Sequence, residues 1–164
     1  MPEASFTTSV RPILVNVTEG EPRVRSAGQH DRLSVSVPLR NVGGGLALIE
    51  APSLEITSTK YQRMVGGTRA STIPATEQET FLFVLECDSQ VTQRELEQEI
   101  RQNGFCVVAR YRDLDGEQPG RTRAKCEHLP EVGWRVTTIE LFRGEEREPF
   151  AVLPGQSVSL RLSD

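Results

Sequence analysis

Aromatic side chains are scarce in this chain, at 5% of its 164 residues with a single tryptophan. A base-stacking platform or a ring-lined carbohydrate face needs several such rings together, so neither is expected. Histidine is almost missing as well. His30 and His128 are the only two, and no G-x-S-x-G elbow accompanies them, which argues against a Ser-His-Asp triad. The three cysteines, Cys87, Cys106 and Cys126, form an odd set with no C-x-x-C spacing, a poor disulfide framework and no zinc site. A reducing cytoplasm is the simpler location for them. Cys106 stands in an apolar run and reads as a small core residue, not a nucleophile. No apolar run reaches about 18 residues, so no membrane span is expected. Met1 to Thr18 also lacks the basic start and apolar stretch of a signal peptide. Charge of one sign is missing too: 19 Lys and Arg against 23 Asp and Glu leave a net charge of −4. That balance favours neither disorder nor a polyanion-binding surface, and nucleic acid is not an expected partner.

What is present is period-2 patterning. In the stretch LSVSVPLRNVGGGLALIE, Leu33 to Glu50, the apolar Leu33, Val35, Val37 and Leu39 alternate with Ser34, Ser36, Pro38 and Arg40, as in a strand with one buried face. Gly43, Gly44 and Gly45 permit positive φ and a reversal, and Leu46 to Ile49 form a second apolar run. The reading is strand, glycine turn, strand. Pro38 lacks a backbone donor, so the strand is an edge or is bulged at that point.

The phrase VPLRNVGGGLA resembles the strand pair of CARDB-type and related bacterial immunoglobulin-like modules. It is also similar to the soluble domain of small actinobacterial proteins of unknown function, whose later matches here are Tyr111, Asp113 and Gly116, then Trp134. The resemblance implies a sandwich and no catalytic residues. It also implies a membrane-anchored parent as an alternative setting, since such domains often follow a membrane helix.

Elsewhere the same patterning recurs. Residues 1–11 read as a disordered tail and 12–164 as one β-sandwich domain, a length that supports a proper core. Pro12 to Thr18 reads as a first strand, Glu19 to Arg32 as a solvated loop, and Leu54 to Ser58 as a resumed alternation. Thr59 to Thr76 reads as a strand end followed by a long loop. Glu79 to Cys87, apolar on both faces, reads as a central strand buried on both sides. One short helix is predicted over residues 92–102, with Thr92 and Glu95 as a capping box, Gly104 as the stop, and Leu96 and Ile100 as a thin apolar stripe. Phe105 to Arg112 and Arg121 to His128 read as a hairpin, Trp134 to Phe142 as the next strand, and Phe150 to Leu153 with Val158 to Leu162 as a last strand pair. The predicted fold class is all-β, an immunoglobulin-like antiparallel β-sandwich with one short helix.

Segregating apolar from charged residues in the hairpin puts Arg110, Arg112, Arg121, Arg123 and Lys125 on one face. Clustered arginines grip carboxylates or phosphates, but an exposed hairpin also carries charge to deter edge pairing, and Glu127 and Glu131 stand near enough to neutralise it. Asp113, Asp115 and Glu117 around Gly116 hold part of a calcium-loop pattern without its remaining ligands. The glycine turn has no following lysine or helix start, so it reads as a plain turn and not a phosphate cradle. The expected function is a non-enzymatic interaction module for a protein partner, with no cofactor. The alternative is a small-molecule or ion-binding accessory domain with its site in the loops near Gly43 to Gly45 or Asp113 to Glu117.

Overall fold

The computed structural model describes residues 11–16, 20–26, 31–116 and 119–155. Within them the elements run β1 (Leu14–Val15), β2 (Arg23–Ser26), β3 (Arg32–Asn41), β4 (Ala47–Ile49), β5 (Ser53–Glu55), β6 (Arg63–Gly67), β7 (Thr72–Ile73), β8 (Gln78–Glu86), α1 (Gln90–Asn103), β9 (Phe105–Arg112), β10 (Gly120–Leu129), β11 (Gly133–Arg143) and β12 (Ala151–Pro154). The strands form two antiparallel sheets. The first has the order β1-β3-β8-β6 with β2 also on β3, and the second has β12-β11-β10-β9-β4-β7 with β5 also on β9. This is an all-β sandwich with a single helix among the described residues.

Alternation decides which side chains meet inside. Leu33, Val35, Val37 and Leu39 of β3 and Phe81, Phe83 and Leu85 of β8 are buried together with Val107, Ala109, Ala124, Cys126, Ile139 and Leu141 of the second sheet. Each large side chain removed from water there contributes about 1.5–3 kcal/mol. Helix α1 packs on both β3 and β10, so it covers one end of the sandwich. Its stripe is Leu96 and Ile100, as expected, joined by the buried Gln93, whose Nε2 donates to Arg32 O at 2.6 Å.

Several local expectations are corrected. The helix is capped by Ser89, whose side chain accepts from the Thr92 amide, so Thr92 lies inside the first turn and not at the cap. Gly104 does end it, at φ 75 with its amide on Ile100 O. The segment read as a solvated loop contains β2, whose Arg23, Val24 and Arg25 alternate over only one partner strand. Gly66 and Gly67 belong to β6 and do not open a loop. Gly66 is required there because a Cβ would stand 2.2 Å from the Phe83 ring. Strand β8 is interior to its sheet, yet only one face is buried: Leu82 on the other is exposed. Phe150 to Leu153 does not form its own pair; β12 adds to β11, and Val158 to Leu162 lies outside the described residues.

The largest correction concerns the glycine turn. β3 and β4 do not pair, because β3 belongs to the first sheet and β4 pairs with β7 and β9 in the second. The glycines carry the chain across the sandwich. None of the three has positive φ. Gly43 is needed for a close approach instead, since a Cβ would lie 2.0 Å from Arg11 O. Pro38 fits the edge reading in a specific way. β2 pairs with β3 only as far as Ser36, and β1 begins at Arg40, so the missing N–H falls in the gap between two neighbours. The Pro38 carbonyl on that side accepts from Asn16 Nδ2 at 3.2 Å.

Two buried polar groups tie the layers together. Asn41 Oδ1 accepts from the amides of Ile13 (3.2 Å) and Gly43 (3.0 Å), and its Nδ2 donates to Gly45 O (2.7 Å) and to Ile73 O (2.9 Å) in the second sheet. At the other tie, the Leu14 amide donates to Tyr111 Oη at 3.4 Å, and Thr122 Oγ1 donates to Leu14 O at 2.8 Å. The Thr122 hydroxyl has one proton, so Tyr111 Oη donates across the remaining 2.8 Å, which closes a ring between β1 and the β9–β10 pair.

Asn41→Ala leaves two donors and two acceptors unpaired and is expected to cost about 3 kcal/mol in urea unfolding, against about 1–2 kcal/mol for Tyr111→Phe. Burial raises the Tyr111 phenol, outweighing the hydrogen bonds that pull it down. The phenol is therefore harder to ionise in the folded chain. Its contribution is intact below the unfolded value of about 10 and is lost as pH rises past it. Tyr111→Phe should flatten that alkaline decline in a pH series of melts.

Candidate interaction surfaces

The hairpin β9–β10 has the expected register: Ala109 faces Thr122, Val107 faces Ala124, Phe105 faces Cys126, and Arg110 lies opposite Arg121 on the outer side. The five cations do share a face, but neighbouring strands answer them. Arg112 Nε bonds Glu50 Oε1 at 2.8 Å. Arg123 sits between Glu55 and Glu140, each at 2.8 Å. Lys125 lies 3.7 Å from Glu127. The Arg121 guanidinium lies over the Phe142 ring, donates to Glu146 O at 2.8 Å and stands 3.7 Å from Glu145. Arg110 reaches Ser53 Oγ at 3.4 Å. The Glu55 hydrogen bond, then the Glu140 one, hold Arg123 above the ordinary guanidinium range, while burial pulls the other way. Glu127 acts as anticipated, but Glu50, just after β4, and Glu55 of β5 come from segments distant in sequence.

At the hairpin tip, the Gly116 amide donates to Asp113 O at 3.0 Å, and Arg112 donates to Gly116 O at 3.3 Å. Asp115 is exposed and Glu117 lies outside the described residues. No group of three or more His, Cys, Asp or Glu side chains gathers for a metal ion among the described residues. At the glycine crossing, the Gly43 amide is occupied by Asn41. His128 stands edge-on to Trp134 at 5.4 Å, and Trp134 tilts onto Phe105 at 5.3 Å; His30 lies outside the described residues. The three thiols are free and buried, and burial raises all three.

A second surface emerges only from the pairing of strands. The outer face of the first sheet carries Arg23 and Arg25 on β2, then Arg32, Ser34, Ser36 and Arg40 on β3, Leu82, Val84 and Glu86 on β8, and Arg63 and Val65 on β6. Register aligns Arg25 with Ser34, Val84 and Val65, and Arg23 with Ser36, Leu82 and Gly67. Val65 is 51% exposed and Leu82 44%, although Leu82 lies on an interior strand. They line a shallow trough of about 640 Å³ with Gly67, Thr80 and Val84. Arg32 pairs with Glu86 at 3.2 Å, whereas Arg23, Arg25, Arg40 and Arg63 make no ion pair among the described residues. Among the described residues, Arg40 Nε is buried without a hydrogen-bond partner. The signal was present in the alternating R-V-R of β2 and in the outward Arg32, Ser34, Ser36 and Arg40 of β3, but nothing local showed that these strands adjoin.

The fold and its surfaces thus define an all-β two-sheet protein with charged outer faces. No family model matches the chain, and a search of curated proteins finds no match.

Native protein at pH 8 should resist iodoacetamide at Cys87, Cys106 and Cys126, and urea should expose all three to alkylation, read by intact mass. Modification of Cys126 in the native state would contradict its burial in the core between the sheets.

Proposed function

We propose that the chain is a non-enzymatic interaction module, immunoglobulin-like as its sequence resemblance implies, which docks a protein partner on the outer face of its first sheet. The observation that carries this reading is the apolar strip around Leu82 and Val84 beside arginines that make no ion pair among the described residues. Outward residues of a solvated sheet are ordinarily polar, and an apolar strip with a polar rim is the composition of a docking surface. Unneutralised arginines favour acidic side chains on the partner, since a guanidinium bonds a carboxylate through two parallel hydrogen bonds. Arg112, Arg121, Arg123 and Lys125 of the hairpin already lie beside glutamates and Arg110 beside Ser53, so the basic surface anticipated there is the weaker candidate. Among the described residues, no group of three or more His, Cys, Asp or Glu side chains gathers at Gly43 to Gly45 or at the Asp113 to Gly116 tip to favour an ion site there.

The test is a partner screen with a photocrosslinking residue at Leu82, followed by charge reversal. R23E/R25E/R40E should weaken capture of the crosslinked partner by about tenfold or more and reduce its salt dependence. R110A/R112A/R123A should leave capture unchanged. The opposite pattern would move the docking surface to the hairpin.

A further inference from the structure

Among the described residues, strand β6 ends the first sheet and pairs only with β8. Its free edge can be read from the ladder. Asn41 N donates to Glu77 O at 2.9 Å and Cys87 N to Asp31 O at 2.7 Å, so odd-numbered residues of β8 turn their backbone groups toward β3 and even-numbered ones toward β6. Val84 and Leu82 therefore bond Val65 and Gly67, while Met64 and Gly66 direct N–H and C=O away from the sheet. The strand is short, and its one charge is the outward-facing Arg63 at its start. It has no proline and no inward-pointing charge, since Met64 and Gly66 face the core side and Val65 faces out.

We propose that β6 pairs with β6 of a second copy of this chain, antiparallel about a two-fold axis through Val65, joining two first sheets into one continuous sheet. That register is self-complementary. Met64 meets the second copy's Gly66, and Gly66 its Met64, so every outward-directed backbone group of the strand finds a partner. Val65 meets its own symmetry mate in the close, non-hydrogen-bonded position on the exposed face. Arg63 falls opposite Gly67, where a Cβ would meet nothing within 4 Å. Like charges are thereby kept apart, and the arginine stem has an open glycine surface leading into the trough beside Leu82. An axis through Met64 or Gly66 would instead need pairing from residues outside the strand. This pairing goes beyond the docking reading, because Arg23, Arg25 and Arg40 lie on β2 and β3, away from the axis.

The test uses the full chain. Sedimentation over a dilution series should show a reversible monomer–dimer equilibrium for the wild type. Val65→Lys, which sets two cations face to face at an exposed position, should give a monomer with an unchanged circular dichroism spectrum. Gly67→Glu, which offers Arg63 a carboxylate across the seam, should tighten the dimer. Val65→Cys should oxidise to a covalent dimer, since residues opposed on the axis lie within disulfide reach while the native thiols are buried. Leu82→Cys should not. A wild type that stays monomeric at every concentration, with no crosslink through Val65→Cys, overturns the proposal, as does β6 occupied by a strand of another protein. The docking reading is tested separately: monomeric Val65→Lys that still captures the partner leaves it standing, and dimeric R23E/R25E/R40E that captures nothing supports both.

Discussion

A chain that crosses between two sheets must abandon its ladder hydrogen bonds in the middle of a core, and this fold solves the problem with one carboxamide. Asn41 closes β3 and holds, from a fully buried position, the lead-in to β1, two residues of the glycine crossing and the carbonyl of Ile73 in the opposite sheet. Buried backbone groups without partners cost about 1–3 kcal/mol each, so the crossing depends on a side chain that both accepts and donates. The hydrogen-bond ring of Leu14, Tyr111 and Thr122 repeats the solution further along β1. Between them the two ties set how the layers face each other, and the apolar core packs around that arrangement.

Charge is distributed by the same topology. The arginines of β9 and β10 have glutamates from β4–β5 and β11 beside them, because those strands flank the hairpin in the second sheet. The first sheet brings β2 beside β3, and among the described residues only Arg32 there finds a carboxylate, Glu86 of β8. Among the described residues, most hairpin cations therefore have carboxylates beside them, whereas Arg23, Arg25, Arg40 and Arg63 of the first sheet make no ion pair. Exposed ion pairs of the kind on the hairpin contribute little to stability, but they decide which face remains available to a carboxylate from elsewhere.

Much of the fold was legible locally. The buried face of β3 follows from alternation, the hairpin register from segregating apolar and charged residues, and the helix from its Leu96 and Ile100 stripe and its glycine stop. Other features were not legible, for identifiable reasons. Ser89 and Thr92 both fit a cap, and only backbone geometry chooses between them. β2 is short and half charged, so its pattern does not differ from a loop until a partner strand lies beside it. Leu82 and Val84 look like core residues because hydrophobicity alone does not say whether a second layer covers them.

By itself, the order of residues determined the local conformations: which segments extend, which side of each strand is apolar, and where glycine and proline interrupt the pleat. These follow from sterics and from the two-residue period of a strand, both properties of neighbours in sequence. Which strands adjoin, that β3 and β4 sit in opposite sheets, and which arginines find a glutamate were decided only in the tertiary structure. Pairing is made between backbones far apart in the chain, and nearly any extended segment offers the same N–H and C=O groups, so the choice rests with long-range packing and a few buried polar ties.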